Sequence, residues 1–237
     1  SDAPQLDAER LLLFVLKRAE TSWLHAHSDE ILTASQAGSF EKLLDHRIEG
    51  KPLAYLLGQA EFYGRTFLVN EDVLVPRPET EQLVDEALKV IAERRPRVIA
   101  DVGTGSGIIA VTLGLELRSM NYELRIVASD ISAAALEVAR VNAERHGVID
   151  MITCVEGDFL KPLERYGVDL IVSNPPYLPA EALAKAGCSR DTKGLTFEPQ
   201  LALGGGSDGL AFVTKIQQQP IPAVYESLGG TIHRHNC

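Results

Sequence analysis

Four consecutive residues, Asn174, Pro175, Pro176 and Tyr177, could recognise a nitrogen that carries two hydrogens. Two adjacent prolines donate no backbone hydrogen bonds, so they end the predicted strand 169–173 and leave carbonyl groups free as rigid acceptors. The Asn174 side-chain oxygen and a proline carbonyl can together hold both hydrogens of an NH2 group, and Tyr177 can pack against the planar group that bears it. The pattern predicts a pocket for an amide or amino nitrogen.

A glycine-rich segment follows residues 98–102, where an apolar strand is predicted to turn into a helix. Glycine lets the backbone approach a nucleoside-type ligand, and a helix N-terminus offers N–H groups and a positive dipole end to a carboxylate. The alternative is a structural turn, because a single G-x-G-x-G pattern is only moderately specific. The candidate cofactor-binding residues here are Asp101, Gly103, Thr104, Gly105, Ser106 and Gly107.

Acidic residues after the next two predicted strands narrow the choice of cofactor. Asp130 follows the strand 125–129, where a carboxylate can accept hydrogen bonds from both hydroxyls of a ribose. Asp158 could accept from an adenine amino group, and Phe159 could stack on the base. NAD would satisfy the same ribose geometry. However, the G-x-G-x-G spacing favours S-adenosylmethionine, as does Asp101, which would repel a pyrophosphate and suit an ammonium group.

The elements that must position these residues alternate between strands and helices from residue 97 onward. Strands are predicted at 98–102, 125–129, 152–155 and 169–173, with helices at 108–117 and 133–146. This alternation predicts a parallel sheet with helices on both faces. Ligands of open α/β sheets bind outside the carboxyl ends of the strands, so the candidate residues should meet there.

The residues before this domain predict a different organisation. Apolar residues recur at helical spacing, and Thr33 to Gln36 fits a capping box. Two extended pieces flank Gly64 and Arg65, a further extended piece is predicted at 73–75, and a helix is predicted after the segment 76–81. We expect a helical substrate-docking domain over 1–58, a hairpin linker over 59–76 and the α/β domain over 77–237.

Composition and charge exclude several classes of protein. The 237-residue chain is 45% hydrophobic and has a formal net charge of -10, which argues against a surface that neutralises many phosphates. The apolar stretch from Leu11 to Leu16 is too short to span a bilayer. The three cysteines, Cys154, Cys188 and Cys237, have neither disulfide-framework nor zinc-site spacing. We expect a cytoplasmic monomer without a metal, which binds neither membranes nor nucleic acid directly.

The combined motifs resemble the PrmC/HemK family of protein-(glutamine-N5) methyltransferases, which modify the glutamine of the Gly-Gly-Gln motif in peptide-chain release factors. Asn-Pro-Pro-Tyr alone is shared with adenine-N6 and other amino methyltransferases, but its combination with Pro-Arg-Pro-Glu-Thr-Glu is much narrower. The resemblance covers most of the chain: the helical N-terminal segment, Leu74–Glu81, the glycine loop, Asn174–Tyr177, Glu198–Leu203, Gly205–Gly206 and Asp208–Leu210.

This resemblance implies a Rossmann-like class I S-adenosylmethionine methyltransferase domain with a small N-terminal helical bundle and a release factor as protein partner. The residues that it assigns to the cofactor are Gly103 to Gly107, Asp130, Phe159 and Asn174. Those that it assigns to the substrate glutamine are Asn174 to Tyr177. The segment Arg77, Pro78, Glu79 and Thr80 is expected to line the same cleft, with Arg77 and Glu79 as substrate-binding residues.

The resemblance fails at the C-terminal end. The family has a strand, a further helix and a strand hairpin there, whereas this chain has only residues 231–237 after Gly230. We therefore expect the C-terminal end of the sheet to be incomplete and the methyltransferase domain to be truncated. His233 and His235 are expected to lie in a frayed terminus rather than to form a metal pair.

Two other functions stay open at this point. An adenine-N6 DNA methyltransferase would use the same pocket for a flipped base, but it needs a phosphate-binding surface, and the helical N-terminal segment is rich in acidic residues. A non-catalytic, cofactor-binding adaptor that docks release factors is suggested by the short C-terminal end.

Overall fold

Four helices form the N-terminal part of the computed structural model, which describes residues 3–189 and 192–236. They are α1 (Pro4–Leu16), α2 (Thr21–Ala26), α3 (Ala34–Ile48) and α4 (Leu53–Leu57). The predicted capping box is confirmed, because the Thr33 side chain accepts from the Gln36 N–H and the Gln36 side chain accepts from the Thr33 N–H. Arg47 of α3 donates to Asp7 of α1 at 2.8 Å, so the two helices are tied together.

A β-hairpin follows, made of β1 (Gln59–Phe62) and β2 (Arg65–Leu68). Its turn residues, Tyr63 and Gly64, both have positive φ, which matches the right-handed twist of a two-residue hairpin. Phe62 and Phe67 are fully buried in the core of the α/β domain. Residues 73–75, predicted to be extended, form no strand; they are an irregular segment in which Val73 is buried against Tyr55 and Val69.

The predicted parallel sheet is confirmed. Its strands are β3 (Val98–Val102), β4 (Arg125–Asp130), β5 (Ile152–Glu156), β6 (Leu170–Ser173), β7 (Ala223–Ser227) and β8 (Thr231–His235), in the spatial order β5-β4-β3-β6-β7-β8. Neighbouring strands are parallel except for the antiparallel pair β7 and β8. The order reverses between β3 and β6, which places the ligand-binding crevice at the carboxyl ends of these two strands.

Helices cover both faces of this sheet. They are α5 (Glu79–Arg94), α6 (Ile108–Ser119), α7 (Ala133–Arg145), α8 (Ala180–Ala184), α9 (Gln200–Leu203) and α10 (Ala211–Gln217), with 3-10 turns at Lys161–Tyr166 and Lys193–Phe197. Side chains alternate along the strands: Ile99 and Ile126 join the core shared with α5 and α6, whereas Ala100 and Val127 join the core shared with α10. The buried sheet holds the strand ends, and hence the site, in fixed positions.

The expectation of a frayed C-terminal end is wrong for residues 231–235. These residues form β8, in which the His233 ring stacks on Tyr225 and lies 2.8 Å from the Ser227 hydroxyl. Arg234 forms ion pairs with two glutamates of α5, Glu86 and Glu93. Backbone pairing with β7 and these contacts order a segment whose short sequence gave no strand signal.

Within the described ranges, no helix has both the length and the apolar character needed to cross a membrane. Cys154 is partly buried and Cys188 is exposed, both as free thiols, and Cys237 lies outside the described residues.

Candidate active site

The glycine loop after β3 is fixed by the end of β4. The N–H groups of Gly103 and Thr104 donate to the Ser129 carbonyl at 2.8 and 2.9 Å, and the Gly105 N–H donates to Asp130 Oδ2 at 2.9 Å. These three N–H groups are therefore used inside the protein. Gly103 and Gly105 have positive φ, and a Cβ atom on either would meet no described atom within 4 Å. The loop thus leaves open space above its backbone.

Asp101 lies beneath this loop and is fully buried. Its Oδ2 accepts from the Thr104 hydroxyl at 2.6 Å and from the Ala110 N–H at 3.0 Å, which joins β3, the loop and α6. Its Oδ1 has no hydrogen-bond partner in the described part of the chain. Burial raises the pKa of Asp101 from its ordinary value of 3.8 to about 7. Asp101 supports the loop and does not line the cavity above it.

The other residues of the loop have structural roles. Thr104 and Ser106 are buried, and the Ser106 carbonyl accepts from Asn142 of α7 at 2.8 Å. Gly107 caps α6 with a φ of 80°, and a Cβ atom there would lie 3.0 Å from the Ala139 backbone. Glycine at this position therefore allows α6 and α7 to pack closely.

A cavity opens at the carboxyl ends of the strands, and it brings together most of the predicted cofactor-binding side chains. Asp130 lies in its wall, with Oδ1 accepting from the Ser132 N–H at 2.9 Å. Phe159 has a φ of 54°, and its ring centre is 5.4 Å from that of Phe212. The wall includes Gly103, Gly105, Asp130, Asp158, Phe159, Asn174, Pro175, Pro176 and Phe212.

Asp158, which lies in the cavity wall, also forms an ion pair with Lys161. Its carboxylate lies 2.6 Å from Lys161, whose hydrogen bond holds the pKa of Asp158 below its ordinary value. The side chain is about half exposed, so this surface ion pair can be exchanged for a ligand at small cost.

A second pocket adjoins the first. Its wall is made of Leu74, Arg77, Asn174, Pro175, Tyr177, Leu178, Leu195, Ala202 and Leu203. Asn174 and Pro175 line both cavities, so this dipeptide separates two compartments. Tyr177 belongs to the second compartment, where burial and the nearby Glu226 raise its pKa to about 12.

Asn174 is linked by hydrogen bonds to two buried polar side chains, Thr80 and Glu226. Asn174 Nδ2 is 2.9 Å from Thr80 Oγ1, and Thr80 Oγ1 is 2.9 Å from Glu226 Oε2. The Tyr177 hydroxyl is 3.4 Å from the other oxygen of Glu226. Burial raises the pKa of Glu226 above its ordinary value, against the effect of hydrogen bonds from Thr80 and Tyr177.

The segment 73–78 is attached to the site by Glu198. The side chain of this residue is 3% exposed, and its two oxygens accept from Arg77 at 2.7 Å and from the Val75 N–H at 3.2 Å. Arg77 also lines the second pocket. Glu79 does not line either cavity, because its side chain lies exposed over Gly230 in the turn between β7 and β8.

A separate cleft lies between the N-terminal helices and the segment around residues 187–198. Its wall includes Asp7, Arg47, Pro52, Arg77, Lys193 and Glu198. Arg77 thus joins this cleft to the second pocket.

The sequence analysis did not identify Glu226 as a site residue, and it placed Thr80 in the cleft wall rather than in a hydrogen bond to Asn174. Glu226 gave one usable signal: it is the single charged residue in the apolar strand Ala223–Ser227, and an acidic side chain there must find polar partners. Glu198 belongs to a motif that the sequence identified, but its pairing with Arg77 spans 121 positions and could not be inferred from spacing.

Comparisons with known proteins identify relatives over most of the chain. Residues 1–58 match the PrmC N-terminal domain and residues 81–188 match the Methyltransferase small domain. The chain is 40% identical over 221 residues to a release factor glutamine methyltransferase of Bacillus anthracis, covering 89% of this chain and 72% of that protein. It is 42% identical over 216 residues to the enzyme of the same name from Nitratidesulfovibrio vulgaris, covering 91% and 70%.

Among solved structures, the hMettl16 catalytic domain in complex with a MAT2A 3'UTR hairpin resembles this chain with a TM-score of 0.54 and 18% identity. The likeness covers 75% of this chain and 68% of that one, and it concerns the fold alone. It is consistent with a class I methyltransferase sheet.

Proposed function

This chain belongs to the release factor glutamine methyltransferase family, and we propose that it methylates the side-chain amide nitrogen of a release-factor glutamine. S-adenosylmethionine is the methyl donor, and the target is N5 of the glutamine in the Gly-Gly-Gln motif. Release factors act in the cytoplasm, so the reaction takes place there, with the chain acting as a monomer.

One observation carries this proposal: Asn174 and Pro175 line both the cavity above the glycine loop and the neighbouring pocket. A group-transfer enzyme must bring donor and acceptor together at a single point and keep them apart elsewhere. The cavity above the loop suits the donor. The pocket beside Tyr177 suits the flat amide of the acceptor.

The residues of the first cavity fit S-adenosylmethionine. The open space over Gly103 and Gly105 admits a ligand against the backbone, and Asp130 keeps acceptor capacity for ribose hydroxyls because a carboxylate can accept about four hydrogen bonds. Phe159 offers a ring for an adenine to stack on. When bound there, S-adenosylmethionine supplies a methyl group on a positively charged sulfur, which keeps the bonding electron pair on transfer.

The protein's own task is to make an amide nitrogen reactive. An amide lone pair is delocalised into the carbonyl, so the nitrogen is a poor nucleophile. Asn174 Oδ1 and the Pro175 carbonyl can accept hydrogen bonds from its two N–H groups. If these hydrogen bonds hold the N–H groups out of the amide plane, the lone pair localises on nitrogen. The nitrogen then gains one carbon and loses one proton to water, without a metal or a strong base. Catalysis here depends on positioning and preorganised dipoles.

The cleft beside the N-terminal helices is where we place the body of the release factor. It opens onto Arg77, which also lines the pocket for the glutamine. A partner seated in this cleft could therefore extend a loop into the active site. The N-terminal helical segment, 1–58, then acts as a docking domain, the hairpin segment 59–76 as its linker, and 77–237 as the catalytic domain.

Comparing three acceptors tests this function. S-adenosylhomocysteine formation is measured with an intact release factor, an adenine-containing DNA duplex and a free glutamine analogue. The proposal predicts turnover with the release factor, much weaker turnover with the analogue and none with the duplex. Turnover on the duplex would favour the adenine-N6 alternative, and cofactor binding with no turnover on any acceptor would favour the adaptor.

A further inference from the structure

A single hydroxyl lies between the Asn174 loop and a buried carboxylate. Thr80, in the first turn of α5, is 1% exposed, and Glu226, in β7, is 1% exposed. Thr80 Oγ1 is 2.9 Å from Asn174 Nδ2 and 2.9 Å from Glu226 Oε2. Three separate elements thus contribute to a polar chain that ends at Asn174.

The chemistry of these groups sets the direction of the hydrogen bonds. An ionised carboxylate such as Glu226 only accepts, here from Thr80 Oγ1, and a threonine hydroxyl has one hydrogen to donate. Because Thr80 donates that hydrogen to Glu226, it can only accept from Asn174. The Asn174 amide must therefore turn Nδ2 toward Thr80, which leaves Oδ1 as the atom for the active-site cleft.

The reverse orientation of the Asn174 amide would block the proposed chemistry. It would place an NH2 group against the NH2 group of the substrate, with two donors facing each other. The two ends of an asparagine amide have nearly the same size, so packing alone cannot choose between them. The choice must come from a hydrogen-bond partner of fixed polarity.

We propose that Thr80 and Glu226 are positioning residues that hold the Asn174 side-chain amide with its oxygen toward the substrate nitrogen. This inference rests on the proposed function. Neither residue lines the cavities: Thr80 contacts Asn174 directly, and Glu226 acts on Asn174 through Thr80. The second oxygen of Glu226 accepts from the Tyr177 hydroxyl at 3.4 Å, so one carboxylate orients both ends of the Asn174–Tyr177 loop.

Substitutions of Thr80 test the inference directly. Thr80→Val keeps the shape and removes the hydroxyl; it should lower kcat roughly 10- to 100-fold, as expected for a misoriented reacting group. The Kd of S-adenosylhomocysteine should stay within about twofold of the parent value, because Thr80 lies outside the cofactor cavity. Thr80→Ser restores the hydroxyl and should recover most of the lost rate.

The chain provides a matched control for removing a buried hydroxyl. Thr112, in α6, is 0% exposed, and its hydroxyl has no hydrogen-bond partner within the described ranges. Thr112→Val makes the same chemical change away from the Asn174 loop. It should leave kcat at the parent value.

Two substitutions of Glu226 provide an independent test. Glu226→Gln keeps an oxygen that can accept from Thr80, whereas Glu226→Met keeps the length and replaces both oxygens by a sulfur that accepts only weakly. Without that oxygen, the Thr80 hydroxyl donates to Asn174 and favours the reversed amide. Glu226→Gln should therefore retain most of the parent kcat, and Glu226→Met should lose at least as much as Thr80→Val.

Parent turnover on a release factor separates this inference from the function on which it rests. A folded, cofactor-binding parent that methylates no acceptor refutes the function itself. With an active parent, a Thr80→Val kcat within twofold of the parent, or equal losses in Thr80→Val and Thr80→Ser, overturns the positioning role. If circular dichroism shows that Thr80→Val does not fold, the Glu226 pair decides: a loss confined to Glu226→Met supports the inference, and equal kcat values overturn it.

Discussion

Replacing Asn174 by alanine should separate chemistry from cofactor binding. The substitution removes the carboxamide that lies between the two cavities but leaves Asp130 and the glycine loop intact. Loss of one preorganised hydrogen bond at a reacting centre costs about 2.7 to 4 kcal/mol, so kcat should fall roughly 10²- to 10³-fold. Cofactor affinity, measured by calorimetry, should change far less. Asp130→Ala is the matched control and should show the opposite pattern.

Asn174→Asp makes the same test sharper. It keeps the shape and an acceptor but adds a negative charge beside a sulfonium that loses its positive charge in the transition state. That charge favours the bound cofactor over the transition state and should also slow transfer. If both Asn174 variants match the parent within twofold in affinity and saturated turnover, the assigned active site is wrong.

Asp101 should make folding stability depend on pH. The pKa of Asp101 is about 7 in the folded protein, and its ordinary value, which applies to the unfolded chain, is 3.8. Between these pH values the folded state therefore binds more protons than the unfolded state. The stability that it contributes is therefore fully present below the lower value and is lost as pH rises through about 7. Asp101→Asn cannot ionise, so its stability should fall less over this range.

Urea denaturation at pH 5 and pH 8 provides the measurement. The parent should lose more free energy of unfolding between the two pH values than Asp101→Asn does. An equal loss in both proteins would show that Asp101 does not titrate against folding.

At the scale of elements, the position of residues 72–74, which line the cofactor cavity, should depend on α4, the last N-terminal helix. The Tyr55 hydroxyl, in α4, donates to the buried carbonyl of Val73, and Val73 lies in the cavity wall. Tyr55→Phe leaves that carbonyl without its partner, which should cost roughly 1 to 3 kcal/mol of unfolding free energy. Tyr122→Phe is the control, because its bond to the Pro96 carbonyl is longer, at 3.3 Å, and half-buried. Equal effects in the two variants would contradict this attachment.

The elements themselves were largely predictable. Strands such as β3 and β4 are short and mainly apolar, and each leads into a motif with a chemical reason to be there. Thr33 marked a helix start through local hydrogen bonds alone. Signals of this kind are short-range and do not need the rest of the fold.

The remaining features depend on long-range contacts. Asp101 was predicted to face a ligand, but its carboxylate turned inward because Thr104 and the Ala110 N–H offer hydrogen bonds beneath the loop. Glu226 meets Thr80 across 146 positions, a pairing that only the sheet order creates. β8 is ordered by β7 and by α5 rather than by its own propensity. In all three features, contacts with residues from other elements of the fold determine the conformation.

For the whole molecule, ligand binding should show whether the cavity above the glycine loop is a methyl-donor site or a dinucleotide site. S-adenosylhomocysteine at about 100 times its Kd should add roughly 2.7 kcal/mol of stability if it binds only the folded state, and so should raise Tm. NAD should not, because the loop N–H groups that a pyrophosphate needs already donate to β4. No shift with saturating S-adenosylhomocysteine in a folded sample would contradict the cofactor assignment.

The most direct test of the central claim is the mass of the release-factor peptide that contains Gly-Gly-Gln, measured after incubation with this protein and S-adenosylmethionine. The account predicts a gain of one methyl group, located by fragmentation on the glutamine side-chain nitrogen, and a strongly reduced gain with Asn174→Ala. An unmodified peptide, in the presence of folded protein that binds the cofactor, would contradict the account, as would a methyl group on any other residue.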